Sequence, residues 1–235
     1  MNSNGLPLDS WQPVPRPGPS ELAGRYASLE RLDARRHAAE LHAAFAGHDQ
    51  LWDYMAYGPF ATEADYRGWA AGMAARDDPF FYAIRDREGG QALGVASFLR
   101  IEPAHGVIEV GHICLAPALQ RRRAATEAMF LMMRWAFEAG YRRYEWKCNA
   151  ANSGSRRAAE RLGLSFEGVF RQHMVVKGRN RDTAWFAAID REWPALSAAF
   201  SRWLDPANFD ADGRQRLALS SLTAPLLATV DPGRR

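Results

Sequence analysis

Apolar residues recur at two different spacings along the 235-residue chain, and these spacings predict alternating strands and helices. Short apolar or alternating runs indicate strands, whereas apolar residues three and four positions apart indicate amphipathic helices. Strands are predicted at residues 25–32, 80–85, 93–101, 107–115, 142–148, 166–176 and 183–189. Helices are predicted at residues 34–46, 62–75, 126–139, 153–162 and 192–204.

The order of these elements predicts one mixed sheet. The strands at 80–85, 93–101 and 107–115 follow one another through short turns, which is typical of an antiparallel meander. A strand–helix–strand crossover comes next, and such a crossover adds a parallel neighbour with a helix on one face. We therefore expect an α/β (α+β) fold with a mostly antiparallel central sheet of about seven strands and helices on both faces.

The two ends of the chain differ in composition from the part between them. Residues 1–20 are rich in proline and predict an extended or disordered arm, in which Trp11 is expected to dock on the main body. The main domain is expected over residues 21–205. Residues 206–235 are polar and then weakly apolar, and we expect this C-terminal extension to wrap over the surface.

Composition and charge narrow the classes of function. The net charge of +3 does not indicate nucleic-acid binding, because acids offset most of the basic residues and no long basic stripe is present. No apolar run approaches the length of a membrane span and no signal pattern opens the chain, so a cytoplasmic location without membrane contact is expected. The two cysteines, Cys114 and Cys148, are expected to be buried thiols, and no spacing of histidines and cysteines indicates a metal site.

The exception to the balanced charge is Arg121-Arg122-Arg123, between the strand at 107–115 and the helix at 126–139. Small residues follow these arginines, so a ligand could approach the backbone closely at the start of the helix. The free N–H groups of a first helical turn and nearby guanidinium groups both favour phosphate oxygens. The sequence therefore predicts a phosphate-binding strand–loop–helix.

This segment resembles the pyrophosphate motif of the GNAT superfamily of N-acetyltransferases, usually Gln/Arg-x-x-Gly-x-Gly/Ala. Gln120 occupies its first position and Ala125 its last, while Arg123 stands where the family usually has glycine. The resemblance covers roughly residues 22–190. It continues through Thr126-Glu127-Ala128, which is similar to the Rim-type branch (ribosomal-protein-alanine acetyltransferase-like), and through residues 152–155 and 159–168.

The resemblance implies an acyl-CoA-dependent N-acyltransferase that uses acetyl-CoA as its co-substrate and requires no metal. Asn149 and Asn152 are expected to contact the pantetheine arm or, equally, to be turn and helix-capping residues. The implied cofactor-binding residues are Ile113, Cys114, Leu115, Gln120, Arg121, Arg122, Arg123, Ala124, Ala125, Thr126, Asn149, Asn152 and Ser155.

Acetyl transfer needs a neutral amine, a stabilised oxyanion and a proton for the departing thiolate. Three residues are candidates for the base: Glu109, His173 and His112. Glu109 and His112 are three apart on one strand, so they are expected to point to opposite faces. The resemblance places Ser155 as an acid, because Ala159 stands where many members have a tyrosine; water is the alternative.

The acceptor pocket is expected to form from an aromatic loop, the helix carrying Trp69 and the hairpin at 177–185. Packing of the aromatic side chains on the sheet is the alternative role. Three functions stay open: acetylation of a protein or peptide N-terminus, acetylation of a small amine such as a polyamine, amino acid or antibiotic, and non-catalytic regulation through CoA binding. A homodimer is possible. The predicted substrate residues are Trp52, Tyr54, Tyr57 and Phe60.

Overall fold

The computed structural model describes residues 7–233, which form one eight-stranded sheet with helices on both faces. The strands are β1 (Glu21–Ala23), β2 (Ala27–Arg31), β3 (Phe80–Asp86), β4 (Ala92–Glu102), β5 (Val107–Leu115), β6 (Arg143–Asn149), β7 (Ser165–Val176) and β8 (Arg179–Ile189). The helices are α1 (Ala34–Phe45), α2 (Glu63–Ala74), α3 (Arg123–Glu138), α4 (Ser153–Arg161), α5 (Trp193–Leu204) and α6 (Leu219–Thr223).

The sheet has the order β1-β2-β3-β4-β5-β6-β8-β7, and every neighbouring pair is antiparallel except β5 and β6. The predicted mixed, mostly antiparallel sheet is therefore confirmed. The extra strand arises because the predicted strand at 25–32 belongs to a hairpin of β1 and β2. Glu127 on α3 holds the turn of this hairpin by accepting hydrogen bonds from the backbone N–H groups of Arg25, Tyr26 and Ala27, at 2.9, 2.5 and 2.7 Å.

Two hydrophobic layers cover the sheet, one on each face. The larger layer packs α3 and α5 against Ile108, Val110 and Phe186. The smaller layer packs α1 and α2 against the other face of β3, β4 and β5, around Phe81 and Cys114. Helices on both faces are thereby confirmed. In the smaller layer, helices α1 and α2 lie over the N-terminal half of the sheet.

A β-bulge in β5 changes which side chains share a face. Val95 of β4 lies opposite Cys114, but Ser97 lies opposite Gly111, so β5 has one residue more than its partner here. His112 takes the extra position with a φ of +52°. The bulge shifts the alternation, so Cys114 lies in the smaller hydrophobic layer although Ile108 and Val110 lie in the larger one.

Strands β5 and β6 separate towards their C-terminal ends. Their parallel pairing runs only from Val107 opposite Arg143 to Val110 opposite Trp146. Beyond Val110, the side of the β5 backbone that faces β6 pairs with no strand among residues 7–233. Ligands of such sheets bind where neighbouring strands diverge.

Residues 7–20 lie along the body of the protein. The indole of Trp11 donates to the carbonyl of Ala104 at 2.8 Å, and the hydroxyl of Tyr141 donates to the carbonyl of Pro15 at 2.9 Å. Residues 1–6 of the predicted arm lie outside the described residues, as do residues 234 and 235. Within residues 7–233, no helix has both the length and the apolar character needed to cross a membrane.

Candidate active site

A cleft of about 1790 Å³ opens where β5 and β6 separate. Its walls come from the end of β5, the first turns of α3 and α4, and a loop at residues 211–215 of the C-terminal segment. Eight arginines and three acidic residues contribute to its lining, so the cleft is strongly basic. Its shape and charge suit a long, polyanionic ligand.

The start of α3 forms the floor of this basic region. The helix begins at Arg123, three residues earlier than the predicted start, so Arg123, Ala124 and Ala125 form its first turn. The residue before it, Arg122, makes no side-chain capping hydrogen bond. The first-turn N–H groups therefore remain available to an anion, which the helix dipole also favours.

The structure brings twelve of the thirteen predicted cofactor-binding residues together in this cleft. Asn149 is the exception: its side chain accepts a hydrogen bond from the N–H of Ala151 at 2.9 Å and shapes the turn after β6. Asn152 lines the cleft and also caps α4, because its side chain accepts from the N–H of Ser155 at 3.0 Å. Gln120 donates to the carbonyl of Leu115 at 2.9 Å and so fixes the loop before α3.

Arg123 occupies the position where glycine was expected, and its side chain is held between two aromatic rings. Its guanidinium carbon lies 4.7 Å from the ring centre of Tyr26 and 4.8 Å from that of Phe209. Such cation–π contacts contribute about 0.5–2 kcal/mol each. Arg123 thus joins the β1–β2 hairpin to the C-terminal segment along the wall of the cleft.

Ser155 lies at the inner end of the cleft. Its hydroxyl oxygen accepts a hydrogen bond from the indole of Trp146 at 3.0 Å. Because that bond uses a lone pair, the hydroxyl can still donate its hydrogen, and the sulfur of Cys148 is one acceptor within reach. The thiol of Cys148 lies next to it, and burial raises the pKa of Cys148 despite the hydrogen bond to Ser155.

Glu109 lies on β5, on the face of the sheet turned away from α3. Its carboxylate is buried and lies 3.0 Å from the ammonium of Lys147 and 3.6 Å from the guanidinium of Arg100. Burial raises the pKa of Glu109, against the opposite effect of these two cations.

His112 lies on the same face as Glu109, which corrects the prediction that the two point to opposite faces. The β5 bulge is the reason. The Nδ1 of His112 lies 2.9 Å from the hydroxyl of Tyr57, and its ring packs on Tyr57 and Phe81. Burial, together with the charges of Arg100 and Arg181, lowers the pKa of His112 to about 4, so the ring is neutral near pH 7.

His173 lies on β7 and also belongs to this face. Its Nδ1 lies 2.9 Å from the hydroxyl of Thr183, and its ring contacts Trp185 and Phe170. Burial and nearby cations lower the pKa of His173. The structure thus brings all three base candidates to one side of the sheet, and Ser155 to the cleft.

The aromatic loop packs mainly on itself and on the sheet. Trp52 is buried, and its ring centre lies 5.2 Å from that of Phe60 and 6.0 Å from that of Tyr57. Tyr57 continues this packing to Trp69 and to the ring of His112. Trp52 and Phe60 are therefore packing residues, whereas Tyr57 reaches β5.

Two contacts tie the aromatic loop to the C-terminal half of the sheet. The hydroxyl of Tyr54 donates to the carbonyl of Ala151 at 3.3 Å. The ammonium of Lys177, in the turn between β7 and β8, donates to the carbonyls of Trp52 and Gly58 at 2.9 and 2.8 Å. The aromatic loop is therefore held against the turn after β6 and the turn between β7 and β8.

Several residues of the site were not singled out from the sequence. Arg157, Arg161 and the loop at 211–215 line the cleft through contacts between segments far apart in the chain. Lys147 and Trp185 could have been found from strand alternation, because they lie opposite each other in β6 and β8 and face the same side as Glu109.

The family profile of the acetyltransferase (GNAT) domain matches residues 28–165, which include β5, the arginine loop and α3. The chain belongs to the GNAT acetyltransferase family. As a member, it is an acyl-CoA-dependent acetyltransferase.

Two solved GNAT structures are similar over most of the chain. A GCN5-related N-acetyltransferase from Brucella melitensis is 48% identical with a TM-score of 0.90, covering 92% of this chain and 100% of that one. A probable GNAT acetyltransferase from Chromobacterium violaceum is 43% identical with a TM-score of 0.78, covering 83% of this chain and 98% of that one. No curated protein matches the chain.

The Rim-type branch is not confirmed. The ribosomal L7/L12 alpha-N-protein acetyltransferase RimL, solved in complex with coenzyme A, is 22% identical with a TM-score of 0.63. The match covers 72% of this chain and 98% of RimL, and identity this low shows a shared fold only. The likeness to RimL therefore adds no acceptor to the GNAT family assignment.

Proposed function

We propose that this GNAT enzyme transfers the acetyl group of acetyl-CoA to a primary amine by direct attack within a ternary complex. The observation that carries the proposal is the position of the cleft, which ends at the strand separation where Ser155 lies on one side and Glu109 on the other. Donor and acceptor can then meet in the gap between β5 and β6.

The donor binds along the basic cleft in this proposal. The pyrophosphate lies at the first turn of α3, where Arg121 and Arg122 are exposed and able to contact its oxygens. The pantetheine arm follows the unpaired edge of β5, whose backbone groups beyond Val110 can bind its amides. A backbone N–H around Ile113 to Leu115 stabilises the thioester oxygen as it becomes negative.

The amine attacks the thioester carbon, and the carbon–sulfur bond then breaks. Glu109 removes the ammonium proton of the acceptor, directly or through one water molecule, because its raised pKa brings it closer to the operating pH. Ser155 donates a proton to the departing sulfur and is oriented for this by the indole of Trp146. His173 is the alternative base, whereas neutral, Tyr57-bound His112 positions the acceptor.

A small amine fits the acceptor side better than a folded protein terminus. The Tyr54 and Lys177 contacts hold the aromatic loop across the strand ends, and this narrows the space that a protein surface could use. Acetylation of a protein or peptide N-terminus is the second candidate, favoured by the fold shared with RimL. We place the reaction in the cytoplasm, since Cys114 and Cys148 are both free.

Two-substrate kinetics tests direct attack. Initial rates measured against acetyl-CoA at several concentrations of a primary amine should give intersecting reciprocal lines, and intact mass should show no acetylated protein. Parallel lines with an acetyl group on Cys114, Cys148 or Ser155 would contradict the proposal, because they indicate a covalent intermediate. Faster turnover of short peptides than of small amines would favour the second candidate.

A further inference from the structure

The acceptor side of the sheet carries a row of charged residues on β5, β6 and β8. Lys147 and Trp185 lie opposite each other in neighbouring strands, with the ammonium 3.8 Å from the ring centre. Arg181 and Thr183 precede Trp185 at alternate positions of β8, so they lie on the same face. The catalytic candidates Glu109 and His173 face the same region.

The carboxylates of this row are already ion-paired. Glu109 contacts Lys147, and Glu145 contacts both Lys147 at 2.8 Å and Arg143 at 2.6 Å. Arg143 also pairs with Glu167 at 2.5 Å. No acid of this row is therefore left for a further cation.

Arg179 and Arg181 lie at alternate positions of β8 and neither makes an ion pair to a carboxylate within residues 7–233, but Arg181 is the one of the two that is partly buried. Its side chain is partly buried, and its Nε is shielded from water and donates no hydrogen bond. The indole N–H of Trp185, two residues along the strand, is also buried without an acceptor. Leaving a buried donor unpaired is unfavourable, and more so for a charged group.

The region around Arg181 is electrostatically positive. Arg100 and Arg181 both lower the pKa of His112 and of His173, after the larger effect of burial. Burial lowers the pKa of Arg181 itself, and Arg100 adds to that effect, although Cys148 and Glu109 act in the opposite direction. A cationic acceptor such as a polyamine would be repelled here, whereas an anionic group would be attracted.

The unpaired donors do not belong to the donor half of the site. Arg181 and Trp185 do not line the large cleft, whose phosphate-binding groups are the α3 N-terminus and its arginines. They lie instead beside His112, His173 and Glu109, where the proposed function places the acceptor.

We infer that Arg181 and the indole N–H of Trp185 bind an anionic group of the acceptor, so that the substrate is an amine bearing a carboxylate or a phosphate group. The inference rests on the proposed function and specifies its acceptor. The guanidinium can bind two oxygens of such a group at once, and this orients the amine towards Glu109.

Matched amines test the inference. The kcat/KM should be measured for a set of free amino acids, their uncharged amides and their aminoalkyl phosphate or phosphonate analogues, all at saturating acetyl-CoA. The anionic compounds should be preferred over the amides by roughly tenfold to a hundredfold. The kcat/KM values of the carboxylate and phosphate compounds then show which anion the site prefers.

The variant Arg181→Gln should remove this preference while leaving the affinity for CoA unchanged. Arg179→Gln is the matched control, because Arg179 lies in the same hairpin but is exposed. Retained preference in Arg181→Gln, or equal rates for amides and free acids in the wild type, would overturn the inference and leave acetyl transfer intact. Absence of turnover with every amine would instead count against the proposed function.

A binding measurement separates the anion site from catalysis. The Nε–H resonance of Arg181, assigned by its loss in Arg181→Gln, should shift on titration with acetate or inorganic phosphate at constant ionic strength. A resonance that does not respond to either anion would contradict the site even if amines are acetylated.

Discussion

Glu109 is the residue on which the proposed chemistry depends most. Its carboxylate shares Lys147 with Glu145, yet the two acids differ in environment, because Glu109 is the more deeply buried. Burial raises the pKa of Glu109. The charges and hydrogen bonds of Lys147 and Arg143 outweigh burial at Glu145 and lower its pKa.

The variant Glu109→Gln should lower kcat by about 10²–10⁴-fold, the usual contribution of a general base. CoA affinity measured by calorimetry should not change. The rate of the wild type should fall at acid pH with an apparent pKa above that of an exposed glutamate. The variant Glu109→Gln should lack this fall. Glu145→Gln removes the same charge from Lys147 and is the control; an equal loss of kcat in both variants would show that only the ion-pair network matters.

His112 should make the protein sensitive to acid. Its folded-state pKa of about 4 lies below its unfolded value of about 6.5, so its contribution to stability is complete above pH 6.5 and is lost as the pH falls towards 4. By pH 5, the free energy of unfolding should be lower by about 1–2 kcal/mol for this reason. The free energy of unfolding, measured by chemical denaturation, should differ less between pH 7 and pH 5 in His112→Gln than in the wild type. An unchanged difference would show that another group takes up the proton.

Residue spacing predicted that Glu109 and His112 point to opposite faces of the sheet, and this was wrong. Alternation along an ideal strand puts residues three apart on opposite faces, and the sequence offers no signal for the bulge at His112. A positive φ at a histidine depends on how β4 and β5 are paired, which is a tertiary property.

At the scale of elements, the N-terminus of α3 and the loop before it form the proposed phosphate site. Arg121 and Arg122 are exposed there, whereas Arg123 is held by Tyr26 and Phe209. The arginines are therefore not equivalent. The first two can reach a bound phosphate freely, and the third mainly fixes the wall of the cleft.

Reversing the charge of Arg122 should weaken CoA binding by roughly tenfold to a hundredfold, because a charge-assisted hydrogen bond contributes about 1.5–3 kcal/mol. Calorimetric titration of Arg122→Glu with CoA measures this. Arg191→Glu makes the same charge change at an exposed position outside the cleft and should bind normally. Equal affinities in the two variants would show that the loop arginines are only surface charges.

Most helices and strands could be predicted from the spacing of apolar residues, with boundaries a few residues wrong. The helix α3 begins at Arg123, whereas the amphipathic pattern becomes clear only from Thr126, because the residues Ala124 and Ala125 of its first turn carry little of that pattern. Residues 177–182 lie between the predicted strands at 166–176 and 183–189 but are mostly strand, because pairing with β7 extends β8 back to Arg179. Such extension depends on the partner strand.

At the scale of the whole molecule, the C-terminal segment is fastened to α4 close to the active site. The buried carboxylate of Asp231 contacts the guanidinium of Arg156, with an Nε distance of 2.6 Å, and its N–H donates to Glu160 at 2.7 Å. Thr223 donates to the carbonyl of Arg161 at 3.0 Å. Proline and charge patterns at the chain ends carry no information about such long-range contacts.

Removing this ion pair should destabilise the protein and loosen the cleft. Asp231→Ala should lower the free energy of unfolding by about 3–5 kcal/mol, because it leaves Arg156 without its buried partner. Urea denaturation checks this, with Asp53→Ala as a control at an exposed aspartate. A change below 1 kcal/mol would mean that the segment is only loosely attached.

In the proposed reaction, the donor bound in the basic cleft transfers its acetyl group to an amine at the gap between β5 and β6. The most direct measurement incubates the purified protein with acetyl-CoA and a panel of primary amines, and quantifies released CoA and N-acetylated product by mass spectrometry. Released CoA and N-acetylated product should appear in equal amounts, and Glu109→Gln should be strongly impaired. Tight CoA binding without N-acetylated product from any amine would contradict the proposed reaction.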